Sequence, residues 1–226
     1  RLFMDKLEIQ KIAEMFDHTN LSQDASYEDI KKLCEEALNY NFYSVCVNTF
    51  YIKTCKNFLE KSPVKVCTVV GFPLGQNTIE SKVFETIDAV KKGADEIDMV
   101  INVSKLKEKD INYCLTEINH IKKACGEKIL KVIVETCLLT TEEKSLAAKI
   151  VLLSEADFIK TSTGFSKSGA SFEDIEIFKK IVGENKLIKA AGGIKTTDDL
   201  LKMISLGSNR IGTSRGVNLI EELKSR

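Results

Sequence analysis

The chain has 226 residues, of which 43% are hydrophobic and 29% charged, a composition typical of water-soluble globular proteins. Its 33 basic and 33 acidic side chains cancel, so the charge gives no reason to expect nucleic acid or an anionic membrane as a partner. Seven cysteines without a Cys-x-x-Cys spacing argue against a disulfide framework or a zinc ribbon and indicate free thiols in a reducing, cytoplasmic compartment. We expect neither a membrane span nor a signal peptide.

Short apolar, β-branched segments alternate with amphipathic segments along the whole chain. Residues 2–14 predict an amphipathic helix that closes the floor of the fold ahead of the first strand. Eight strands follow, starting about every 28 residues, the length of one βα unit. The predicted strands cover residues 15–21, 44–50, 65–73, 96–102, 130–137, 158–163, 187–191 and 209–214.

Between the strands, apolar residues recur at helical spacing. The predicted helices cover residues 27–40, 78–92, 110–125, 141–155, 172–182 and 197–206, with a last helix after Gly216. Ser26 and Asn77 are candidate N-caps, and Gly93 ends the second helix of this series. Capping-box patterns occur at residues 140–143 and 171–174.

Strict alternation of strands and helices predicts an α/β fold with a parallel sheet. Eight repeats favour a closed (β/α)8 TIM barrel over an open sheet. Because no linker or change of composition interrupts the pattern, we expect residues 1–226 to form a single domain.

Polar side chains collect toward the carboxyl ends of these strands, where such barrels place their active sites. They are Asp17, Thr19, Asn48, Asp98, Asn102, Glu135, Lys160 and Lys189. A lysine within a barrel strand is costly unless its ammonium group meets water or a partner. Lys160 could be a surface lysine that reaches solvent, and Lys189 could form a structural salt bridge to Glu135 or Asp98.

Taken together, the two lysines point to chemistry. Two ammonium groups on adjacent strands repel each other, so one loses its proton more easily and can form a Schiff base with a carbonyl carbon. Asp98, in a strand otherwise built for burial, could move protons during that reaction. It could equally be the ion-pair partner of a barrel lysine, and the two roles are compatible.

Glycine-containing turns follow the last two strands. Gly192 and Gly193 precede one helix, and the segment 212–216, which contains Arg215, precedes the last. Backbone N–H groups at such helix starts bind phosphate in many barrels, although a Gly-Gly pair can also be a simple tight turn. The segment 164–171 imitates a P-loop but has Ala170 at the position of the essential lysine. We interpret His18 as a structural hydrogen-bonding residue and expect no metal site.

Several of these segments together resemble the deoxyribose-phosphate aldolase family, class I aldolases built on a (β/α)8 barrel. The resemblance extends from Asp17 to Gly216. The matching segments are residues 17–19, 45–48, 71–75, 96–100, 131–136, 158–164, 189–194 and 210–214. The chain departs from the family's usual pattern at Arg215, where a small residue such as serine is common.

The resemblance implies a reversible cleavage of 2-deoxy-D-ribose 5-phosphate to D-glyceraldehyde 3-phosphate and acetaldehyde, in deoxyribose phosphate catabolism and without a cofactor. It implies Lys160 as the Schiff-base residue, Lys189 as the lysine that perturbs it and Asp98 as the proton relay. The phosphate is expected on the backbone at Gly164, Gly192, Gly193 and Gly212 and on Ser214, and we expect Asp17 and Arg215 in the binding site as well. The chain could form a homodimer.

Three other functions remain open on the residues alone. A catalytically silent barrel could bind a sugar phosphate as a sensor, and it would tolerate loss of Lys160. A class I aldolase could act on a different phosphorylated aldehyde. A metal-dependent barrel lyase is the third, and the shortage of histidine at the strand ends argues against it.

Overall fold

Eight parallel strands form a closed barrel within residues 4–226, the part of the chain that the computed structural model describes. Each strand pairs with the next in chain order, and β1 pairs with β8, which confirms the predicted (β/α)8 barrel. The strands are β1 Phe16–Asn20, β2 Ser44–Val47, β3 Lys65–Val70, β4 Glu96–Val100, β5 Ile129–Ile133, β6 Phe158–Lys160, β7 Leu187–Ala191 and β8 Arg210–Thr213.

Ten α-helices are assigned in the same range. They are α1 Lys6–Ala13, α2 Tyr27–Tyr40, α3 Ile52–Phe58, α4 Ile79–Lys92, α5 Val103–Lys107, α6 Ile111–Cys125, α7 Thr141–Leu153, α8 Phe172–Val182, α9 Thr197–Ser205 and α10 Gly216–Lys224. The predicted helices of the βα units are confirmed, whereas the two short helices α3 and α5 were not predicted. No helix within residues 4–226 has both the length and the apolar character needed to cross a bilayer.

Side-chain caps fix where most helices begin. Ser26, Thr140 and Ser171 each accept a hydrogen bond from the third amide of their helix, whose acidic side chain accepts from the cap in return. The sequence predicts the cap at Ser26 and the capping boxes at the other two. Gly93 ends α4 at φ 111°, also as predicted. The N-cap of α4 is Thr78 and not Asn77, because the Thr78 hydroxyl accepts a hydrogen bond from the backbone amide of Ser81.

Several predicted strands are too long at their carboxyl ends. Apolar composition continues past the last strand residue, but the chain turns there. Short 3-10 helices, Thr49–Tyr51 and Thr136–Leu138, follow β2 and β5, and Glu135 adopts a left-handed φ of 56°. The strand β6 also ends earlier than predicted, so Lys160 is its last residue and lies at the mouth of the barrel.

The amino-terminal helix is present as α1, capped by Asp5, and packs against α10. Its buried residues Ile9, Ile12 and Ala13 join the main apolar core. The predicted start at residue 2 lies outside the described residues, and its role in closing the barrel floor stays a prediction.

Two different cores hold the barrel together. Between the sheet and the helices the packing is aliphatic, with fully buried strand residues such as Ile97, Val132 and Ile188. Inside the barrel, seven charged strand residues contact one another. A small apolar cluster that includes Cys46 and Cys67 packs beside them. The aliphatic layer provides most of the apolar burial that stabilises the fold, and the interior holds the charged side chains.

Candidate active site

Lys160 and Lys189 are paired neighbours on β6 and β7, and both side chains point into the barrel. Their ammonium groups donate to the same oxygen, Asp98 Oδ2, at 2.9 Å and 2.8 Å. Lys189 also lies 2.6 Å from Asp17 Oδ2. The structure therefore brings together the three residues that the sequence singled out for chemistry. Glu135 is not their partner, because its carboxylate accepts hydrogen bonds from the backbone and hydroxyl of Thr163.

A second layer of charge lies beneath these lysines, and the sequence reasoning did not assign it. Lys131 Nζ is 2.8 Å from Asp98 Oδ1, 2.8 Å from Glu96 and 3.1 Å from Asp17. Arg210 binds Asp17 and Glu96 at 2.9 Å and 2.7 Å. Lys131 meets the criterion that had identified Lys160, a lysine flanked by apolar residues in a strand, and could have been found by it.

These ion pairs set the protonation states of the buried groups. Burial alone would raise the pKa of Asp98, but Lys131, Lys160 and Lys189 hold it well below its usual range. Burial would likewise raise the pKa of Asp17, and Lys131, Lys189 and Arg210 lower it instead. Burial would lower the pKa values of Lys131 and Lys189, yet the surrounding carboxylates raise both above the usual range.

The cluster contains four cationic side chains and three carboxylates, so it carries one more positive than negative charge when all are ionised. Lys131 contacts three carboxylates, while Lys189 and Arg210 contact two each. Lys160 contacts only one. Lys160 is thus the cation with the least compensation.

A cavity of about 710 Å³ opens at the carboxyl ends of the strands, and Lys160 forms part of its wall. Asp98 and Lys189 lie behind that wall and are fully buried. Of the predicted binding residues, six line the cavity: Gly164, Gly192, Gly193, Gly212, Ser214 and Arg215. The cavity is large enough for a phosphorylated sugar, and Lys160 is the one group of the charge cluster that a bound carbonyl carbon can reach.

Asp17 is placed differently from the prediction that it contacts the substrate. It is fully buried beneath the cavity, and its two carboxylate oxygens are occupied by Ser44, Lys131, Lys189 and Arg210. We therefore assign Asp17 to the ion cluster and not to the binding wall. Arg215 does line the cavity, and its side chain is 47% exposed and lies 3.9 Å from Glu222.

The loops that follow β6, β7 and β8 offer backbone donors at the mouth of the barrel. Gly193 has a left-handed φ of 75°, and its amide and those of Gly164 and Ser214 have no hydrogen-bond acceptor among the described residues. No side chain caps α10, whose N-cap residue, Arg215, follows Ser214 directly. Free amides beside a helix N-terminus attract anions.

Two glycines allow close approach around the site. A Cβ atom on Gly212 would lie 2.8 Å from Cε of Lys189, so the glycine makes room for that side chain. A Cβ on Gly169 would lie 2.2 Å from the carbonyl carbon of Gly192. Gly169 therefore lets the β6–α8 loop pack on the Gly-Gly turn, which explains a glycine that the sequence showed only as part of a failed P-loop pattern.

His18 has the structural role that the sequence suggested. It is buried, and its Nε2 lies 2.6 Å from Glu36 of α2, while its ring packs on Phe42. Burial lowers its pKa although Glu36 acts in the opposite direction. The imidazole thus fixes α2 against β1 along one wall of the cavity.

Comparison with known proteins finds one family model, DeoC/LacD family aldolase, which matches residues 11–218. A deoxyribose-phosphate aldolase of Malacoplasma penetrans is 72% identical over 221 residues, covering 98% of this chain and all of the relative. One of Ureaplasma urealyticum is 57% identical, covering 94% and 99% of the two chains.

Solved structures show the same likeness. A tetrameric deoxyribose phosphate aldolase from Aeropyrum pernix superposes with a TM-score of 0.87 at 30% sequence identity. The match covers 96% of this chain and 92% of that one. The likeness therefore extends over nearly the whole barrel and includes the strands that carry the charge cluster.

Proposed function

The chain belongs to the DeoC/LacD family of aldolases and is a carbon–carbon lyase, and we propose that Lys160 performs its deoxyribose-phosphate aldolase reaction through a Schiff base. The reaction is the reversible cleavage of 2-deoxy-D-ribose 5-phosphate to D-glyceraldehyde 3-phosphate and acetaldehyde. One observation carries the assignment of Lys160: it is the single lysine of the buried cluster that borders the cavity, and it has the fewest carboxylate partners.

The excess positive charge of the cluster explains how a lysine becomes a nucleophile. If one of the four cationic side chains loses its proton, three positive and three negative charges remain and the cluster is neutral. Lys131 and Lys189 are held in their charged forms by their carboxylate partners, which raise their pKa values. A Schiff base forms from a neutral amine, and Lys160 is the lysine of the cluster that has a single carboxylate partner and borders the cavity.

The chemistry then follows from the electron pair of the amine. Lys160 Nζ adds to the C1 aldehyde of the open-chain sugar, and loss of water gives a protonated imine. A base removes the C3 hydroxyl proton, the C2–C3 bond breaks, and its electrons form an enamine across C1 and C2. Glyceraldehyde 3-phosphate leaves, C2 is protonated, and water releases acetaldehyde from Lys160.

Asp98 is the proposed proton relay for these steps. Its Oδ2 receives hydrogen bonds from both Lys160 and Lys189, so a proton taken from one side can be returned from the other. Because Asp98 does not reach the cavity surface, the proton passes between it and the substrate through a water molecule or through Lys160. Lys189 supplies a permanent positive charge beside the imine.

The phosphate group is proposed to bind at the loops that follow β6, β7 and β8. The free amides of Gly164, Gly193 and Ser214 and the uncapped start of α10 would donate to its oxygens, and Gly192 shapes the turn. Gly212 acts by leaving space for Lys189. These loops and Lys160 line the same cavity, so the aldehyde end of a sugar held there by its phosphate can reach Lys160.

Assembly and location are also proposals. A homodimer is the state we expect, and the Aeropyrum pernix relative is a tetramer, so light scattering of the purified protein would decide between them. A cytoplasmic location is supported by the cysteines, all seven of which are free thiols.

Trapping of the imine tests the proposed function directly. Incubation with acetaldehyde followed by borohydride reduction should add a two-carbon unit to Lys160, located by mass spectrometry. Lys160→Leu should abolish both the adduct and the cleavage activity, whereas Lys167→Leu, an exposed lysine seven residues away, should leave both unchanged. An active enzyme without an adduct at residue 160 would refute the proposal.

A further inference from the structure

Lys82 of α4 is a fully buried lysine that lies outside the charge cluster. Its ammonium group donates three hydrogen bonds of 2.8 Å, to the carbonyl oxygens of Gly75 and Val100 and to Glu117 Oε2. The other carboxylate oxygen of Glu117 accepts from the backbone of Asn102 at 2.8 Å. All the polar atoms of this small network are therefore satisfied.

One end of the network holds the loop between β3 and α4. Gly75 closes this loop with a φ of 68°, and its carbonyl is fixed by Lys82. At the start of the loop, the Gly71 amide donates to Glu85, also on α4, at 2.9 Å. A Cβ atom on Gly71 would lie 2.6 Å from Cε of Lys82, so the loop rests directly on the lysine side chain.

The other end of the network holds β4. Val100 is the last residue of that strand and lies two residues after Asp98. Its carbonyl and the Asn102 amide would lack these partners without Lys82 and Glu117. One ammonium group thus ties the β3–α4 loop to the strand that carries the proposed proton relay.

The loop also carries Phe72, which packs near the reacting groups. Its ring meets that of Phe165, a residue of the cavity wall, edge to face at a centroid distance of 5.4 Å. Phe72 packs further against an apolar cluster that includes Cys46 and Cys67. Cys67 Sγ donates to Asp98 Oδ1 at 3.3 Å, so this cluster packs directly against the buried carboxylate.

We propose that Lys82 is a positioning residue of this enzyme, which holds the β3–α4 loop and the end of β4 so that Asp98 stays against Lys160 under the cover of Phe72. The inference rests on the proposed function. A tetrahedral ammonium group suits the position because it serves three acceptors that diverge from one point, which an apolar side chain could not do. Displacement of Asp98 by about 1 Å would slow the reaction by about 10- to 100-fold.

Two variants that differ only at residue 82 isolate this tether. Glu117→Gln keeps Lys82 and an acceptor for the Asn102 amide. Lys82→Met combined with Glu117→Gln removes both charges of the pair, leaves no unpaired ion, and frees the Gly75 and Val100 carbonyls. We expect kcat to stay within about 3-fold of the wild type for the first and to fall about 10- to 100-fold for the second.

One rate measurement and one binding measurement distinguish a positioning role of Lys82 from a general disruption of the active site. In the double variant, the rate of borohydride-trapped imine formation with acetaldehyde should fall with kcat, while the Kd of inorganic phosphate should be unchanged. Lys186→Met is the matched control, because Lys186 also donates to two backbone carbonyls, those of Ser154 and Ala156, but lies ahead of β7 at the other end of the barrel. Its kcat should remain that of the wild type.

The outcomes are distinct. Equal kcat values for the single and double variants, or a fall in kcat matched by an equal loss of phosphate affinity, would overturn the role of Lys82. If the double variant does not fold, Gly71→Ala displaces the same loop without changing charge and should lower kcat with intact phosphate binding; wild-type kcat would contradict us. Absence of a wild-type adduct on Lys160 would instead defeat the proposed function.

Discussion

Lys160 and Lys189 share one carboxylate oxygen, Asp98 Oδ2, which lies 2.9 Å and 2.8 Å from their nitrogen atoms. The two lysines differ in what else they touch. Lys189 has a second carboxylate, Asp17, at 2.6 Å and no exposed surface, while Lys160 has no second carboxylate and borders the cavity. These contacts suit Lys189 to the role of a permanent positive charge and Lys160 to the role of the nucleophile.

Lys189→Met should slow imine formation at Lys160. The variant removes one of the two ammonium groups on Asp98 Oδ2, so Lys160 forms that ion pair alone and its nitrogen is less available to attack a carbonyl carbon. We expect the rate of borohydride-trapped imine formation with acetaldehyde at one fixed pH to fall about 10-fold, equivalent to about 1.4 kcal/mol. An unchanged rate would show that Lys189 does not assist the reaction of Lys160.

Gly212→Ala should disturb the same lysine sterically. The new methyl group would lie 2.8 Å from Cε of Lys189 and 3.1 Å from Cβ of Ala191, in a strand that cannot easily move. Overpacking of this kind destabilises a protein by about 1–3 kcal/mol, and displacement of Lys189 should lower kcat about 10-fold or more. Thermal unfolding and steady-state kinetics would measure both effects. Full activity of the variant would mean that Gly212 is not needed to make room for the Lys189 side chain.

Much of the fold could be predicted from the sequence because the residues that define each strand and helix lie within that element or next to it. β-Branched apolar segments, capping residues such as Thr140 and the glycine at position 93 all act within a few residues of their own position. The ends of strands were less predictable. Val134 remains buried and apolar after β5 has ended, so composition does not mark the turn that begins at Glu135.

The site was only partly predictable for a different reason. Lys160 and Lys189 could be identified because a lysine in an apolar strand is costly, but Lys131 satisfies the same rule. Which of them reaches the cavity depends on the register between strands. Lys160 pairs with Ile133, two residues beyond Lys131, so Lys131 lies one layer deeper. Asp17 was likewise assigned to the substrate because sequence alone does not reveal depth within the barrel.

His18 should make stability depend on pH below neutrality. Burial lowers the pKa of His18 in the folded state below the value of 6.5 that it has in the unfolded chain. At any pH between the folded-state pKa and 6.5, the unfolded chain therefore binds more protons than the folded one. Its contribution is therefore complete above pH 6.5 and is lost as the pH falls through the folded-state pKa. The free energy of unfolding should fall by up to about 1.4 kcal/mol per pH unit over this interval.

The histidine variants isolate that contribution. His18→Gln should remove this part of the pH dependence, measured by denaturant unfolding between pH 5 and pH 8. His120→Gln is the control, because His120 is exposed on α6 and should leave the slope unchanged. Identical slopes for the wild type and the His18 variant would contradict the prediction.

Arg215→Ala should weaken binding of the phosphate without affecting the chemistry. Arg215 lines the cavity at the start of α10, but its side chain is half-exposed and 3.9 Å from Glu222, so water screens its charge. We expect KM for 2-deoxyribose 5-phosphate to rise about 2- to 5-fold with kcat unchanged, and KM for unphosphorylated 2-deoxyribose to stay the same. Arg226→Ala, which removes an exposed arginine paired with Asp198, should alter neither constant. An equal rise of KM for both sugars would place Arg215 against the carbon chain, whereas no change for either would show that it points into solvent.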